Sequence, residues 1–318
     1  MGKRILGFWL QVIFVAALLF PNALWAGWEI VKWDKVPKNS KGKPENGGTI
    51  AIVGKDNVYL TFSGSHIIHW DGKGFREQKH LYTGAERWAI RQLVANSEKD
   101  LWAFGDNGLA LHSDGKKWKA VKNPLTGTGR REGRLWGSGC AMPNKCFSGS
   151  RSGHLIEWDG SSWKLVSKSG EPPAGGSRIY AIEFISENNG WMAGEALMAK
   201  WDGKGWKKTN IEVPRIYDMA FVGSDFGWIV GDGGAFFKFD GKTWTKVDVK
   251  GSFFRMRGVG CSSKDNCWAV GDAGAAFQWD GKGWTKVKLG TFNRLSNVKF
   301  GHGHGFMVGQ KGTILQWK

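Results

Sequence analysis

Short runs of alternating apolar and polar residues, separated by turn residues, fill the chain after residue 26. Residues 255–287 show this pattern most clearly, because the turns 262–266, 271–274 and 280–282 divide them into four short runs. Alternation with a period of two is typical of half-buried strands, and tight turns join antiparallel neighbours. The segment therefore predicts a four-stranded antiparallel meander.

The same meander recurs along the chain at a spacing close to forty residues. An aspartate marks the turn between the third and fourth strands of six copies, at spacings of 43, 45, 43, 38 and 40 residues: Asp71, Asp114, Asp159, Asp202, Asp240 and Asp280. An aromatic residue opens the second strand of seven copies: Tyr59, Trp102, Phe147, Trp191, Trp228, Trp268 and Phe306. A fixed period of this length indicates a repeat architecture, here with seven copies, which we number as blades 1 to 7.

The seventh copy lacks its fourth strand, because the chain stops at Lys318 directly after the run 313–317. The other six copies open that strand with an aromatic residue: Phe75, Trp118, Trp163, Trp206, Trp244 and Trp284. The unassigned segment of this kind is 28–32, near the other end of the chain. In a ring it would lie beside 313–317 and complete the last blade. We therefore predict an all-β fold, a seven-bladed β-propeller of four-stranded antiparallel blades closed by the N-terminal strand.

The N-terminal segment has the layout of a secretory signal peptide. Basic residues precede an apolar run at 5–20, and a cleavage site follows at Ala26. Leu24 stands where a small residue is usual, so an uncleaved membrane anchor is the alternative. We divide the chain into a signal peptide, residues 1–26, and one propeller domain, residues 27–318, exported to the periplasm or the extracellular space. The mature part has 43 basic and 28 acidic residues, a net charge of +15, and export argues against nucleic acid as a partner.

Four cysteines form two pairs with equal spacing, Cys140 with Cys146 and Cys261 with Cys267. Both pairs flank the turn between the first and second strands of their blades. In an exported protein such equivalent pairs predict hairpin disulfides. A zinc site would need four ligands at one point, whereas these pairs lie three blades apart.

The first strand of a propeller blade lines the central channel, and its start is cationic in most copies. Aligning these starts gives six arginines, with Gly48 in blade 1 as the exception: Arg87, Arg134, Arg178, Arg215, Arg255 and Arg294. The alignment predicts a ring of arginines around one channel mouth.

The turn between the second and third strands lies on the same face and carries an acid in four blades: Asp106, Glu195, Asp232 and Asp272. We expect each acid to pair with the arginine of its own blade, namely Arg87, Arg178, Arg215 and Arg255, as a structural ion-pair belt. The aspartates of the turn between the third and fourth strands lie on the other face. We expect them to bond amides of their own hairpin.

Two of the six blades with a mouth arginine lack the acid. In blade 3 the turn 150–153 places Arg151 opposite Arg134, and in blade 7 the turn 310–312 places Lys311 near Arg294. Arg130 and Arg131, in the loop entering blade 3, add to the charge. The excess predicts a partner with an acidic surface, and a solvated basic face is the alternative.

Catalysis has little support in the sequence, which lacks the nucleophile elbow, the phosphate loop and the paired zinc-binding histidines. A sialidase would need a tyrosine beside an arginine clamp, and Tyr180 and Tyr217 lie near Arg178 and Arg215. The prediction is a non-enzyme without cofactor or metal.

The repeat resembles the Asp-box, or bacterial-neuraminidase, propeller repeat and, more narrowly, the photosystem II stability and assembly factor family. The resemblance rests on 228–234 with 240–244, and on the closing blade 294–315. It implies a seven-bladed ring without catalytic activity that holds a membrane-protein subunit through an arginine-rich patch during assembly. Arg134, Arg215, Arg255 and Arg294 match the family's arginine-bearing strands. In this chain Lys or Ser replaces the second glycine of each Asp-Gly-Gly.

The sequence therefore predicts an exported, monomeric, protein-binding scaffold whose partner is an acidic protein, such as a subunit of a membrane complex. An Asp-box protein that binds or hydrolyses acidic glycans is the alternative. Adhesion to anionic lipid is a third reading.

Overall fold

The computed structural model describes residues 27–63, 65–78 and 88–317, so the predicted signal peptide and Arg87 lie outside the described residues. The described residues form seven four-stranded antiparallel sheets. In six of them the four strands follow one another in the chain. The predicted all-β seven-bladed propeller is confirmed.

The strands are named in chain order. The closing strand is β1 (Trp28–Ile30). Blade 1 has β2 (Gly47–Gly54), β3 (Asn57–Phe62), β4 (His66–Trp70) and β5 (Phe75–Gln78); blade 2 has β6 (Ile90–Ser97), β7 (Asp100–Gly105), β8 (Ala110–Ser113) and β9 (Trp118–Ala120). Blade 3 has β10 (Leu135–Met142), β11 (Lys145–Ser150), β12 (Leu155–Trp158) and β13 (Trp163–Ser167); blade 4 has β14 (Ile179–Ser186), β15 (Asn189–Gly194), β16 (Leu197–Trp201) and β17 (Trp206–Lys208).

The remaining blades continue the same order. Blade 5 has β18 (Ile216–Phe221), β19 (Gly227–Gly231), β20 (Phe236–Phe239) and β21 (Trp244–Lys246); blade 6 has β22 (Met256–Ser263), β23 (Asn266–Gly271), β24 (Ala276–Trp279) and β25 (Trp284–Lys286). Blade 7 has β26 (Leu295–Gly301), β27 (His304–Gly309) and β28 (Ile314–Trp317). One short helix, α1 (Gly129–Glu132), precedes blade 3, and 3-10 turns join second to third strands at Asp106–Gly108, Asp232–Gly234, Asp272–Gly274 and Gln310–Gly312.

The strand β1 completes blade 7. It pairs antiparallel with β28, with Trp28 opposite Trp317 and Ile30 opposite Leu315. The N–H of Val31 extends the pairing by donating to the carbonyl of Ile314 at 2.9 Å. The predicted closure of the ring by the N-terminal strand is confirmed.

Aromatic side chains hold each blade against the next. The second-strand aromatic of one blade contacts the fourth-strand aromatic of the following blade at all seven interfaces, with ring centroids 5.0–6.4 Å apart: Tyr59–Trp118, Trp102–Trp163, Phe147–Trp206, Trp191–Trp244, Trp228–Trp284, Trp268–Trp28 and Phe306–Phe75. The second-strand members are at most 3% exposed. Such pairs stabilise a core beyond the area that they bury, so these aromatic residues hold the ring of blades together.

The six aspartates of the turns between third and fourth strands have the predicted local role. In each turn the Oδ1 atom accepts hydrogen bonds from the amides two and three residues later, at 2.8–3.1 Å. In blade 5 these bonds, from the N–H of Thr243 and then of Lys242, hold the pKa of Asp240 below its usual range. The glycine after Asp240 has a φ of 94°, which favours glycine.

The cysteines pair as predicted. Cys140 bonds to Cys146 between β10 and β11, and Cys261 bonds to Cys267 between β22 and β23, with S–S distances of 1.96 and 2.04 Å. Because disulfides persist in oxidising compartments, the two bridges favour an exported protein. Within the described residues, no helix has the length and apolar character needed to cross a membrane.

Candidate functional site

One backbone hydrogen bond identifies the equivalent position at the channel mouth in every blade. In each blade, the first N–H of the turn between the second and third strands donates this hydrogen bond. Its acceptor is the backbone carbonyl of the residue just before the paired part of the inner strand. The seven residues with this carbonyl are Asn46, Ala89, Arg134, Arg178, Arg215, Arg255 and Arg294. Five arginines therefore share the position.

The predicted starts of the inner strands are displaced in blades 1 and 2, and Arg87 itself lies outside the described residues. Blade 2 has Ala89 at the equivalent position, two residues after Arg87, because Ile90 is the residue that pairs with Gly105. Blade 1 has Asn46 there instead of Gly48. The sequence alignment placed these strand starts wrongly because no residue in the preceding loops shows where strand pairing begins.

A second layer of side chains reaches the channel from a β-bulge. In six inner strands, the residue directly after the first paired residue has no partner on the second strand, and the pairing resumes one residue later. These bulge residues all line the mouth: Arg91, Trp136, Tyr180, Tyr217, Arg257 and Ser296. Because bulges re-aim side chains, two arginines that sequence reasoning missed join the site.

The acid of blade 2 binds arginines from two blades. Asp106, whose side chain is 1% exposed, lies 2.8 Å from Arg91 and 2.8 Å from Arg134, and 3.9 Å from Arg130. The prediction that Arg134 meets an arginine instead of an acid is therefore wrong. The guanidinium of blade 3 reaches across to the preceding blade, where Asp106 is held on its turn.

The other acids also connect neighbouring blades. Glu195 binds Arg178 of its own blade at 3.4 Å and also Arg215 of the next blade. Asp232 binds Arg215 of its own blade at 3.1 Å and Arg255 of the next blade at 2.6 Å. The ion-pair belt exists, and its pairs run between blades as well as within them.

Asp272 has a different partner from the predicted one. It binds the bulge residue Arg257 of its own blade at 2.5 Å, and Arg255 turns instead to Asp232. Arg257 enters the channel from the bulge and so reaches the acid of its own turn.

The acids do not balance the arginines. Among the described residues, seven arginines lie at the channel mouth against four carboxylates of the turns: Arg91, Arg134, Arg178, Arg215, Arg255, Arg257 and Arg294 against Asp106, Glu195, Asp232 and Asp272. Glu183 and Asp218 also line this cavity, but both pair with Lys299. Within the described residues Arg294 has no carboxylate at ion-pair distance, and its Nε is buried without a hydrogen-bond partner. Burial and then Arg257 hold the pKa of Arg294 below its usual range, while Asp272 partly opposes them. The uncompensated charge therefore lies at Arg294.

The remaining predicted cations surround this mouth. Arg130 is 67% exposed and lies over the ring of Trp88 at 5.6 Å. Arg131 is exposed on α1, and Lys311 is exposed on the turn of blade 7. Burial lowers the pKa of Arg134 against the opposing effect of Asp106, and Arg91 and then Arg151 add to the lowering. These side chains extend the positive face outward.

The mouth is a concave cavity of about 430 Å³. Three aromatic bulge residues form one wall, with ring centroids 4.9 Å apart for Trp136 and Tyr180 and 5.1 Å apart for Tyr180 and Tyr217. Arg255 and Arg257 lie over the Tyr217 ring at 5.6 and 5.7 Å. The cavity therefore presents guanidinium groups beside flat apolar surfaces, a combination suited to a carboxylate-bearing ligand.

A buried ionic cluster crosses the channel below the mouth. Lys299 of blade 7 lies 3.2 Å from Glu183 of blade 4 and 3.5 Å from Asp218 of blade 5. Asp218 also accepts hydrogen bonds from the N–H of Val259 at 3.1 Å and the side chain of Asn297 at 3.3 Å. Burial raises the pKa of Asp218 to about 6, although Lys299 pulls it down. Burial disfavours the charge of Lys299, but Asp218 and Glu183 outweigh it and raise the pKa of Lys299.

The raised pKa of Asp218 predicts a pH-dependent stability. Folding tightens proton binding to Asp218, because the pKa rises from about 3.9 in the unfolded chain to about 6. The contribution of Asp218 to the free energy of unfolding is fully present below about pH 4 and is lost as the pH rises through about 6. Two pKa units correspond to about 3 kcal/mol. Urea unfolding across this range should show the wild type losing stability relative to Asp218→Asn.

The comparison with Asp218→Asn removes the contribution of the turn aspartates, such as Asp71 and Asp240. Their lowered pKa gives the opposite trend, a stability that is lost as the pH falls. A difference between the two proteins that stays constant from about pH 4 to about pH 7 would contradict the role of Asp218.

Comparison with known proteins shows the likeness at the level of fold. No protein family and no curated protein matches the sequence. Among solved structures, YCF48 from Cyanidioschyzon merolae is 17% identical with a TM-score of 0.71 over 92% of this chain and 99% of that one. YCF48 bound to D1 peptide is 14% identical, with a TM-score of 0.70 over 92% and 94% of the two chains. Virginiamycin B lyase from Staphylococcus aureus is 12% identical, with a TM-score of 0.74 over 91% and 98%.

At these identities the three structures share the fold with this chain and determine no activity. One of them is a lyase, so the architecture serves enzymes as well as binding proteins. Membership of the assembly-factor family and the Asp-box assignment stay predictions.

Proposed function

We propose that this chain is an exported, monomeric, non-enzymatic propeller that binds an acidic segment of a partner protein at the arginine-lined mouth. The role is that of a stability or assembly factor for a membrane protein complex. Residues 1–26 serve as its signal peptide, and residues 27–318 form the binding domain.

The uncompensated charge of Arg294 carries this proposal. Its guanidinium is partly desolvated and faces Arg255 and Arg257, so an incoming carboxylate would relieve repulsion as well as form new hydrogen bonds. Charge-assisted bonds from arginine to carboxylate are short, strong and directional. Arg130, Arg131, Arg151 and Lys311 add long-range attraction for an acidic surface around the mouth.

The shape of the mouth supports a protein segment as the ligand. A cavity of about 430 Å³ admits one or two side chains, and its wall of Trp136, Tyr180 and Tyr217 offers contact area to the apolar part of a peptide. YCF48, a propeller of similar fold, has been solved bound to D1 peptide, which supports peptide binding by a ring of this shape.

Arg294→Glu is expected to weaken binding of an acidic peptide at least tenfold. The change removes a charge-assisted contact worth about 1.5–3 kcal/mol, and about 1.4 kcal/mol corresponds to a factor of ten in affinity. Fluorescence anisotropy with a labelled glutamate-rich peptide measures the effect, and a glutamine-rich peptide reports binding that needs no charge. The same variant should fail to capture a native partner from solubilised membranes.

Lys242→Glu is the matched control, because it changes the net charge equally on the opposite face, in an exposed turn between third and fourth strands. It should bind the glutamate-rich peptide as the wild type does. Equal losses in both variants would show attraction to the whole positive molecule and would overturn a site at the mouth.

Binding of an acidic glycan is the second candidate, favoured by the three aromatic rings beside arginines, since sugar rings also pack on such walls. A sialidase-type reaction is less well supported, because burial raises the pKa of Tyr217 and so opposes the ionisation that a nucleophile needs. A glycan array at low salt distinguishes this candidate from peptide binding.

A further inference from the structure

Two phenylalanines on the arginine-bearing face are almost fully exposed. Phe253 is 85% and Phe292 is 92% exposed, far above the other exposed large apolar residues of the described chain, of which Ile30 is the highest at 49%. They lie in the loops from blade 5 to blade 6 and from blade 6 to blade 7. Each stands two residues before a mouth arginine, Arg255 or Arg294. The two rings therefore occupy equivalent places on neighbouring blades.

The backbone holds both rings outward. The residue before each phenylalanine lies over the 3-10 turn of the preceding blade, where Gly234 and Gly274 leave no room for a Cβ atom because the carbonyls of Ser252 and Thr291 are in contact. The Ser252 hydroxyl donates to the Gly234 carbonyl at 3.0 Å. Because these loops are fixed from beneath, each phenylalanine points into solvent.

The surroundings of the rings are basic. The loops and strand starts 247–257 and 287–294, with the turns 232–234, 272–274 and 310–312, carry six cations and three carboxylates. The cations are Lys250, Arg255, Arg257, Lys288, Arg294 and Lys311, and the carboxylates are Asp232, Asp248 and Asp272. Asp232 and Asp272 already bind mouth arginines, so the excess of three positive charges lies around the two rings.

We propose that Phe253 and Phe292 insert into an anionic lipid surface while the exposed lysines around them, Lys250, Lys288 and Lys311, bind headgroup phosphates. The two rings protrude singly and are almost fully exposed, which suits insertion between lipids. Apolar insertion and basic charge act together in peripheral membrane binding. The docked ring would present its channel mouth to the membrane surface, where the acidic segment of a membrane-bound partner would be exposed. Membrane docking goes beyond the proposed peptide binding and does not depend on it.

Co-sedimentation with vesicles tests the proposal. The mature protein should bind phosphatidylcholine vesicles that contain phosphatidylglycerol and should bind pure phosphatidylcholine weakly, with a loss on adding salt. The double variant Phe253→Ser/Phe292→Ser should reduce binding to the anionic vesicles by about tenfold or more, because burying one phenylalanine corresponds to at least a factor of ten. Phe253→Trp/Phe292→Trp should keep the binding, since tryptophan favours the lipid interface.

Val166→Ser is the matched control, because Val166 is 46% exposed on the outer strand of blade 3 and away from the rim. It should leave vesicle binding unchanged. The proposal would be overturned if the wild-type protein did not bind anionic vesicles. It would also be overturned if the serine double variant bound them as well as the control does. Binding of the glutamate-rich peptide separates the two functions. If the serine double variant lost peptide binding but kept vesicle binding, the two rings would serve a protein partner, and lipid insertion would be overturned.

Discussion

Trp28→Ala is expected to lower the free energy of unfolding by about 3–5 kcal/mol, the usual cost of truncating a buried tryptophan. Trp28 is 4% exposed and its ring centroid lies 5.4–5.7 Å from those of Trp268, Phe300 and Trp317. The variant leaves a cavity at the interface between blades 6 and 7 and weakens the short strand that closes the ring. Urea unfolding followed by tryptophan fluorescence and circular dichroism measures the loss.

Ile30→Ala is the control from the same strand. Ile30 is 49% exposed, so its truncation should cost under about 1 kcal/mol. If Trp28→Ala proves as mild as Ile30→Ala, then the closing strand contributes little to stability and the seam of the ring is held by other contacts.

Lys299→Met is expected to cost about 3–5 kcal/mol at neutral pH, because it leaves the carboxylate of Asp218 buried without its cation. Lys299 is the shared partner of Asp218 and Glu183 across the channel. The loss should be smaller near pH 5, where Asp218 can take up a proton instead of remaining charged. Urea unfolding at the two pH values measures both effects.

The double variant Asp218→Asn/Lys299→Met should recover most of the loss, since it removes the buried charge together with its partner. Lys246→Met, on an exposed outer strand, controls for the loss of a lysine and should be nearly neutral. A loss from Lys299→Met that is independent of pH and is not relieved by Asp218→Asn would show that Lys299 contributes by packing rather than by charge.

The fold could be predicted from the sequence because each blade repeats the same local pattern. The last blade lacked a fourth strand and the segment 28–32 had no blade, so the sequence predicts that the segment completes that blade. The pairing of Trp28 with Trp317 confirms this prediction. The disulfides followed from equal spacing at equivalent turns. Each of these inferences used positions that are close in sequence or related by the repeat.

The candidate site was only partly predictable, because its contacts run between blades. The sequence pairs Asp106 with Arg87, which lies outside the described residues, and it gives no sign that Asp106 binds Arg91 and Arg134. The reach of a long arginine across to a neighbouring blade has no signature in sequence. The bulge that brings Arg257 into the channel is likewise a feature of strand pairing, which is observed only in three dimensions.

The cluster of Asp218 and Lys299 was missed for a related reason. Both residues lie on inner strands that read as ordinary half-buried strands, and their blades are not adjacent in the chain. The signal that could have found them is the rarity of ionisable residues at inward positions of such strands, which predicts a partner across the channel.

The pairing of β1 with β28 has a consequence for biogenesis. Among the described strands, the closing strand β1 comes first in the chain and its partner β28 comes last, so β1 has no partner until β28 has been synthesised. The contact between β1 and β28 therefore cannot form until the last strand has been synthesised. During that interval the unfinished disc offers an open edge to chaperones and proteases.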